Sequence, residues 1–180
     1  MARREIALLR GINVGKAKRV AMADLKALVE KLGYTEVQTL LNSGNVVFTV
    51  PPKVKGSSAA RIEEALLATL KLESRVTGVT ADELGAIIEA NPLLKIADDH
   101  SRLMATVITA KADEARLPPL LKEKWHPDVL ALGPRVAYQW CPNGALESKL
   151  AIAVGKLLKD GATTRNWATI LKLQQLCSGA

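Results

Sequence analysis

The run Arg10-Gly11-Ile12-Asn13-Val14-Gly15-Lys16-Ala17-Lys18-Arg19 follows directly on the apolar stretch Ile6-Ala7-Leu8-Leu9. Its two glycines permit backbone geometry that other residues resist. Arg10, Lys16, Lys18 and Arg19 supply cations that seek anions, and Asn13 supplies a neutral hydrogen bond. The chemistry on offer is a clamp for a phosphate or a carboxylate. It is not a Walker loop, which needs four residues between its glycines and then Lys followed by Ser or Thr. Only three residues separate Gly11 from Gly15, and Ala17 stands where the hydroxyl would be. A dinucleotide fingerprint fails as well, because Gly-x-Gly-x-x-Gly is absent.

A second candidate is Thr163-Thr164-Arg165-Asn166, read as a helix start ahead of Trp167, Ile170 and Leu171. Exposed amides, a positive dipole end and the Arg165 guanidinium together favour an oxyanion, with Asn166 beside them. The same residues equally describe an ordinary N-cap with an outward arginine. Asn42-Ser43-Gly44-Asn45 is first of all a hairpin turn, which places Ser43 and Asn45 at its tip as further polar groups. Ser148 and Lys149 are neighbours on a helix and project in different directions, so Lys149 reads as a ligand-directed cation rather than a base for Ser148. His100 and His126 read as surface residues. Nothing beside Cys141 would lower its pKa. No acid–base pair stands out, no cofactor is indicated, and no Cys or His spacing suits a metal.

The elements that must position these groups follow from periodicity. Glu5–Arg10 reads as a buried strand. Leu25, Leu28, Val29 and Leu32 mark an amphipathic helix closed by Gly33. Val37–Leu41 and Val46–Val50 form a hairpin, Ile62, Leu66 and Leu70 mark a second helix, and Arg75–Val79 is a fourth strand. The order β-α-β-β-α-β is the ferredoxin-like arrangement. An extra helix follows, opened by the capping box Thr80-Ala81-Asp82-Glu83. The second half repeats the order: a strand at Leu103–Thr109, a helix over Ala110–Lys124 interrupted by Pro118-Pro119, and a hairpin across Gly133-Pro134. A helix carrying Leu150, Val154 and Leu157, a short link at Gly161–Thr164 and a last helix complete it. Two local matches support duplication: Asn45–Phe48 with Arg135–Tyr138, and Thr80…Leu84…Ile87 with Thr163…Trp167…Ile170. The expected fold class is α+β, with two ferredoxin-like halves at 1–95 and 96–180.

Several of these segments together resemble a widespread bacterial family of uncharacterised proteins. They are Ala7–Gly15, Met22-Ala23-Asp24-Leu25, Ser43–Phe48, Ser148-Lys149-Leu150 and Thr163–Trp167 followed by Lys172-Leu173. The resemblance spans nearly the whole chain in order and spacing. It implies an α+β protein with two related halves and no established activity. Lys16 and Asn42 depart from a second glycine and a glutamine common at those places in the family, which bears on loop shape.

The 180 residues carry a net charge of +7, which favours acidic partners. Two distant cysteines fit a reducing compartment. No stretch approaches the roughly 20 apolar residues of a membrane span, and the short N-terminal apolar run does not suit a signal peptide. The expectation is a soluble cytoplasmic protein, of open oligomeric state, that binds a nucleotide, nucleic acid or anionic metabolite. Two alternatives stand beside it. One is an enzyme acting on a phosphorylated or carboxylated small molecule between the halves, with Lys149 and Arg165 joining the loop's cations. The other is an interaction protein that pairs through its sheet edges.

Overall fold

A computed structural model of the chain describes residues 1–179. The elements run β1 (Arg3–Leu9), α1 (Met22–Lys31), β2 (Thr35–Leu40), β3 (Asn45–Val50), α2 (Ser58–Leu70), β4 (Val76–Thr80) and α3 (Ala81–Glu89). Then come β5 (Leu103–Ile108), β6 (Val129–Gly133), β7 (Val136–Trp140), α4 (Lys149–Leu158), β8 (Ala162–Asn166) and α5 (Trp167–Cys177). The strands build two four-stranded antiparallel sheets, ordered β2-β3-β1-β4 and β6-β7-β5-β8. Each has the ferredoxin-like order expected of an α+β chain with a repeated topology. Two compact units result: residues 1–83 with the segment from Leu173 onward, and residues 84–172. Compactness therefore groups the chain differently from the consecutive stretches 1–95 and 96–180. Among the described residues no helix is long and apolar enough to cross a membrane.

In the first unit β1 is central, between β3 and β4. Strand alternation sends Ala7, Leu9, Val46, Phe48 and Val76 into one core with Leu25 and Val29 of α1 and Ile62 and Leu66 of α2. Tyr34 lies over Phe48, ring centres 4.7 Å apart. The intervening residues Ile6, Leu8 and Val47 are buried too. On that second face Arg4 reaches Thr49 Oγ1 at 3.1 Å and the Leu176 carbonyl at 3.4 Å. The capping box is present at α3: Glu83 N–H donates to Thr80 Oγ1 at 3.1 Å, and Thr80 N–H to Glu83 Oε2 at 2.8 Å.

The second unit departs from expectation in two elements. The helix expected over Ala110–Lys124 is replaced by two 3-10 stretches, Lys111–Arg116 and Pro118–Lys122. Paired prolines lack the amides an α-helix needs there. The expected link at Gly161–Thr164 leads instead into a strand: β8 pairs with β5 from Ile108↔Ala162 to Met104↔Asn166. Ile108, Ala137 and Ala162 pack against Leu150, Val154 and Leu158 of α4. Beside them a polar ladder crosses the sheet, with Gln139 Nε2 donating to Thr106 Oγ1 at 2.6 Å and Thr106 meeting Thr164 at 2.8 Å.

Register corrects both local matches read from the sequence. Phe48 pairs with Glu5 on the central strand, and the equivalent pair in the second sheet is Met104↔Gln139. Gln139, not Tyr138, is therefore the counterpart of Phe48, and a one-residue slip turns Tyr138 to the other face. There its hydroxyl donates to the Ile87 carbonyl at 2.5 Å and its ring meets Trp167 edge-on at 6.1 Å. Likewise Thr80 corresponds to Asn166, through Glu5↔Thr80 and Met104↔Asn166, rather than to Thr163.

Two outcomes follow from this packing. Gly44 sits at φ +85°, and a Cβ there would fall 2.5 Å from Ile12 Cδ1 and 2.9 Å from Leu9 Cβ. Gly44→Ala should cost about 2–3 kcal/mol in denaturant unfolding, combining backbone strain with overpacking; a loss below about 0.5 kcal/mol, the size of a neutral surface change, would contradict the packing described. Burial pushes the Tyr138 hydroxyl up from 10.0 to about 12. A raised value means stabilisation that is whole below pH 10 and is lost as pH climbs to about 12. Tyr138→Phe should flatten that alkaline fall in unfolding free energy; an unchanged fall would contradict a buried, protonated phenol.

Candidate functional site

The loop leaving β1 is fixed at its base. Leu9 N–H donates to the Gly44 carbonyl at 2.8 Å and Arg10 N–H to the Arg75 carbonyl at 2.9 Å. Beyond them φ is +67° at Gly11, +53° at Asn13 and +63° at Gly15, with negative values at Ile12 and Val14 between. Such alternation can turn successive amides toward a common side, the arrangement that makes anion-binding concavities in proteins. Among the described residues none accepts a hydrogen bond from the amides of Val14, Gly15 or Lys16. Open space lies beside both Gly11 and Gly15.

Asn13 holds this shape. Its Oδ1 accepts from Val20 N–H at 2.9 Å, while Nδ2 donates to the carbonyls of Val20 at 3.0 Å and Asn42 at 2.8 Å. Its own N–H closes the loop onto the Lys18 carbonyl at 3.0 Å. Both side-chain amide hydrogens are thus committed within the protein, while Oδ1 accepts one bond and keeps a second lone pair. Lys16, Lys18 and Arg19 are exposed. Among the described residues no carboxylate pairs with any of the three. Arg19 and Asn13 also border a shallow cleft of about 320 Å³, shared with Val20, Ala21 and Asn42.

The other residues singled out in the sequence fall elsewhere. Arg10 is half-buried at the end of β1. Asn45 is fully buried, its Nδ2 donating to the Leu40 carbonyl at 2.7 Å and to Ser43 Oγ at 3.0 Å. It organises the turn from inside, which removes it from a ligand-facing surface. Ser43 is exposed on that turn.

Lys149, Arg165 and Asn166 belong to the second unit. Lys149 is exposed on the first residue of α4. The helix start expected at Thr163–Asn166 is corrected: these residues form β8, so Thr163, Thr164 and Arg165 present no free helix-end amides. Asn166 alone acts as a cap, its Oδ1 accepting from Thr169 N–H at 2.9 Å. Burial lowers the Arg165 guanidinium from 12.5 to about 10, which still leaves it charged at neutral pH. Cys141 is buried and its thiol pushed up by that burial, as suits an inert side chain.

Sequence reasoning overlooked the amide array itself. Gly11, Asn13 and Gly15 occupy alternate positions, and all are types that tolerate positive φ. That spacing was the available signal.

The comparisons agree with this architecture. The conserved bacterial protein SP0830 from Streptococcus pneumoniae has a solved structure similar to this one at a TM-score of 0.78, covering 98% of this chain and 99% of that one. At 22% identity the likeness shows a common fold. No curated protein matches. A family model described as "Protein of unknown function (DUF1697)" matches residues 2–138, a span that includes the basic loop and the Ser43–Phe48 hairpin. With more than half of its length matched, the chain belongs to the DUF1697 family.

Proposed function

We propose that the chain is a binding module for an anionic ligand, a phosphate-bearing metabolite, nucleotide or nucleic acid, held at the Gly11–Arg19 loop. One observation carries the reading: three consecutive amides without acceptors, in a backbone of alternating φ, beside three cations without ion-pair partners. Amides give directional bonds to oxyanion oxygens, and Lys16, Lys18 and Arg19 give attraction at longer range. Stacking adds little, since Phe48 and Tyr138 are buried and the exposed loop carries no ring. The recognition is phosphate-led rather than base-led. Both cysteines are free, which supports a reducing compartment such as the cytoplasm.

Titration of the protein with inorganic phosphate, nucleotides and single-stranded RNA at several salt concentrations tests the reading. Affinity should fall steeply with salt, and the triple variant K16A/K18A/R19A should weaken binding and flatten the salt slope. A flat salt response, or a triple variant that binds as the parent does, would falsify the assignment. Asn13→Ala should loosen the frame of the loop by about 1 kcal/mol, since its bonds to Val20 are part-buried and its bond to Asn42 is exposed. Amide hydrogen exchange across residues 11–20 should then quicken while the sheet stays protected; unchanged exchange there would show that Asn13 does not hold the loop.

A further inference from the structure

A cleft of about 320 Å³ opens at one end of the second sheet, between the loop ahead of β6 and the loop that enters α4. Its volume sits at the small end of the roughly 300–1,000 Å³ range of small-molecule sites. Three hydrogen bonds build its walls. Ser148 Oγ donates to Asp128 Oδ2 at 2.7 Å, which ties the two loops together, and Ser148 Oγ also accepts from Ala151 N–H at 2.9 Å. On the opposite wall the Trp125 indole N–H donates to the Leu120 carbonyl at 2.7 Å, which sets the plane of the ring. Ser148 is thus committed to Asp128 and Ala151, and the groups left to meet a ligand are Trp125, His126, Asn143, Glu147, Lys149 and Oδ1 of Asp128.

Glu147 and Lys149 line this cleft and are exposed. Among the described residues neither has an ion-pair partner. They flank Ser148, the N-cap of α4, and among the described residues no ion pair joins them. A carboxylate and an ammonium held apart beside an aromatic wall are complementary to a ligand that carries both signs and an apolar part. We infer that this cleft binds a free α-amino acid. Its ammonium meets Glu147, its carboxylate meets Lys149, and an apolar side chain lies against Trp125 and Pro127. The cleft shares no residue with the basic loop, so either assignment can fail alone.

Calorimetry with L-leucine and L-phenylalanine tests the inference, with N-acetyl-leucine and leucinamide as probes that lack one charge each. The two intact amino acids should give saturable heat and shift the Trp125 indole N–H resonance, and each single-charge probe should bind at least about tenfold more weakly. Glu147→Gln and Lys149→Met should each weaken leucine binding by about tenfold while the melting temperature holds, and K16A/K18A/R19A should leave it unchanged. Absence of saturable heat from both amino acids overturns the inference. So does equal binding of the single-charge probes, or full affinity in both cleft variants.

Discussion

The candidate loop exists because two chain segments approach more closely than side chains normally allow. Gly44, at the tip of the β2–β3 turn, has no Cβ, and Ile12 and Leu9 occupy the space that a Cβ would need. That contact buries Ile12 to 2% exposure and anchors the base of the loop on a rigid hairpin. Asn13 then completes the join by donating to the Asn42 carbonyl. The backbone of the loop is therefore positioned by the sheet, through a turn some thirty residues away in sequence (Asn13 to Asn42). A loop held this way can present amides at fixed positions, which is the condition for electrostatic preorganisation.

The two sheets share one strand order yet fill their helix-facing sides differently. The first uses Ala7, Phe48 and Gly78 where the second has Thr106, Gln139 and Thr164. The first set packs apolar side chains under two α-helices. The second has only one α-helix on that face, and its polar groups satisfy one another across the strands. Buried polar groups are tolerable when they are mutually hydrogen-bonded and costly otherwise. A repeated topology thus carries two unlike interiors, which is why matching short sequences across the repeat misleads. One residue of slip inverts every face of a strand.

Much of the architecture was legible in the sequence because its signals were local. Leu25, Leu28 and Val29 announced α1, Thr80 and Glu83 announced the start of α3, and Asn42–Asn45 announced the hairpin. What escaped was decided by distant partners. Ala162–Asn166 has threonines that serve equally as caps or strand residues, and only pairing with β5 makes it an edge strand. Asn13 and Asn45 had the right chemistry for ligand contact, yet Asn13 donates to the carbonyls of Val20 and Asn42, and Asn45 is buried and donates to the Leu40 carbonyl and Ser43 Oγ. The cationic side chains were read without difficulty. The amides, which every residue has, became visible only with the φ angles.

Those angles also bear on whether the loop is merely a connection. Lys18 holds φ +51°, a conformation that costs an L-residue about 1–2 kcal/mol. The bond from Asn13 N–H to the Lys18 carbonyl returns about 1 kcal/mol at most of that strain. Gly or Asn at position 18 would adopt the same shape more cheaply, and the three neighbouring cations Lys16, Lys18 and Arg19 repel one another. The anion proposed for this loop would screen the mutual repulsion of Lys16, Lys18 and Arg19 and would give acceptors to amides that have none within the chain. The strain at Lys18 belongs to the backbone alone, as it does at Lys71 and Lys159 with φ +52° and +51°, whereas the repulsion and the open amides are what the proposed anion would answer.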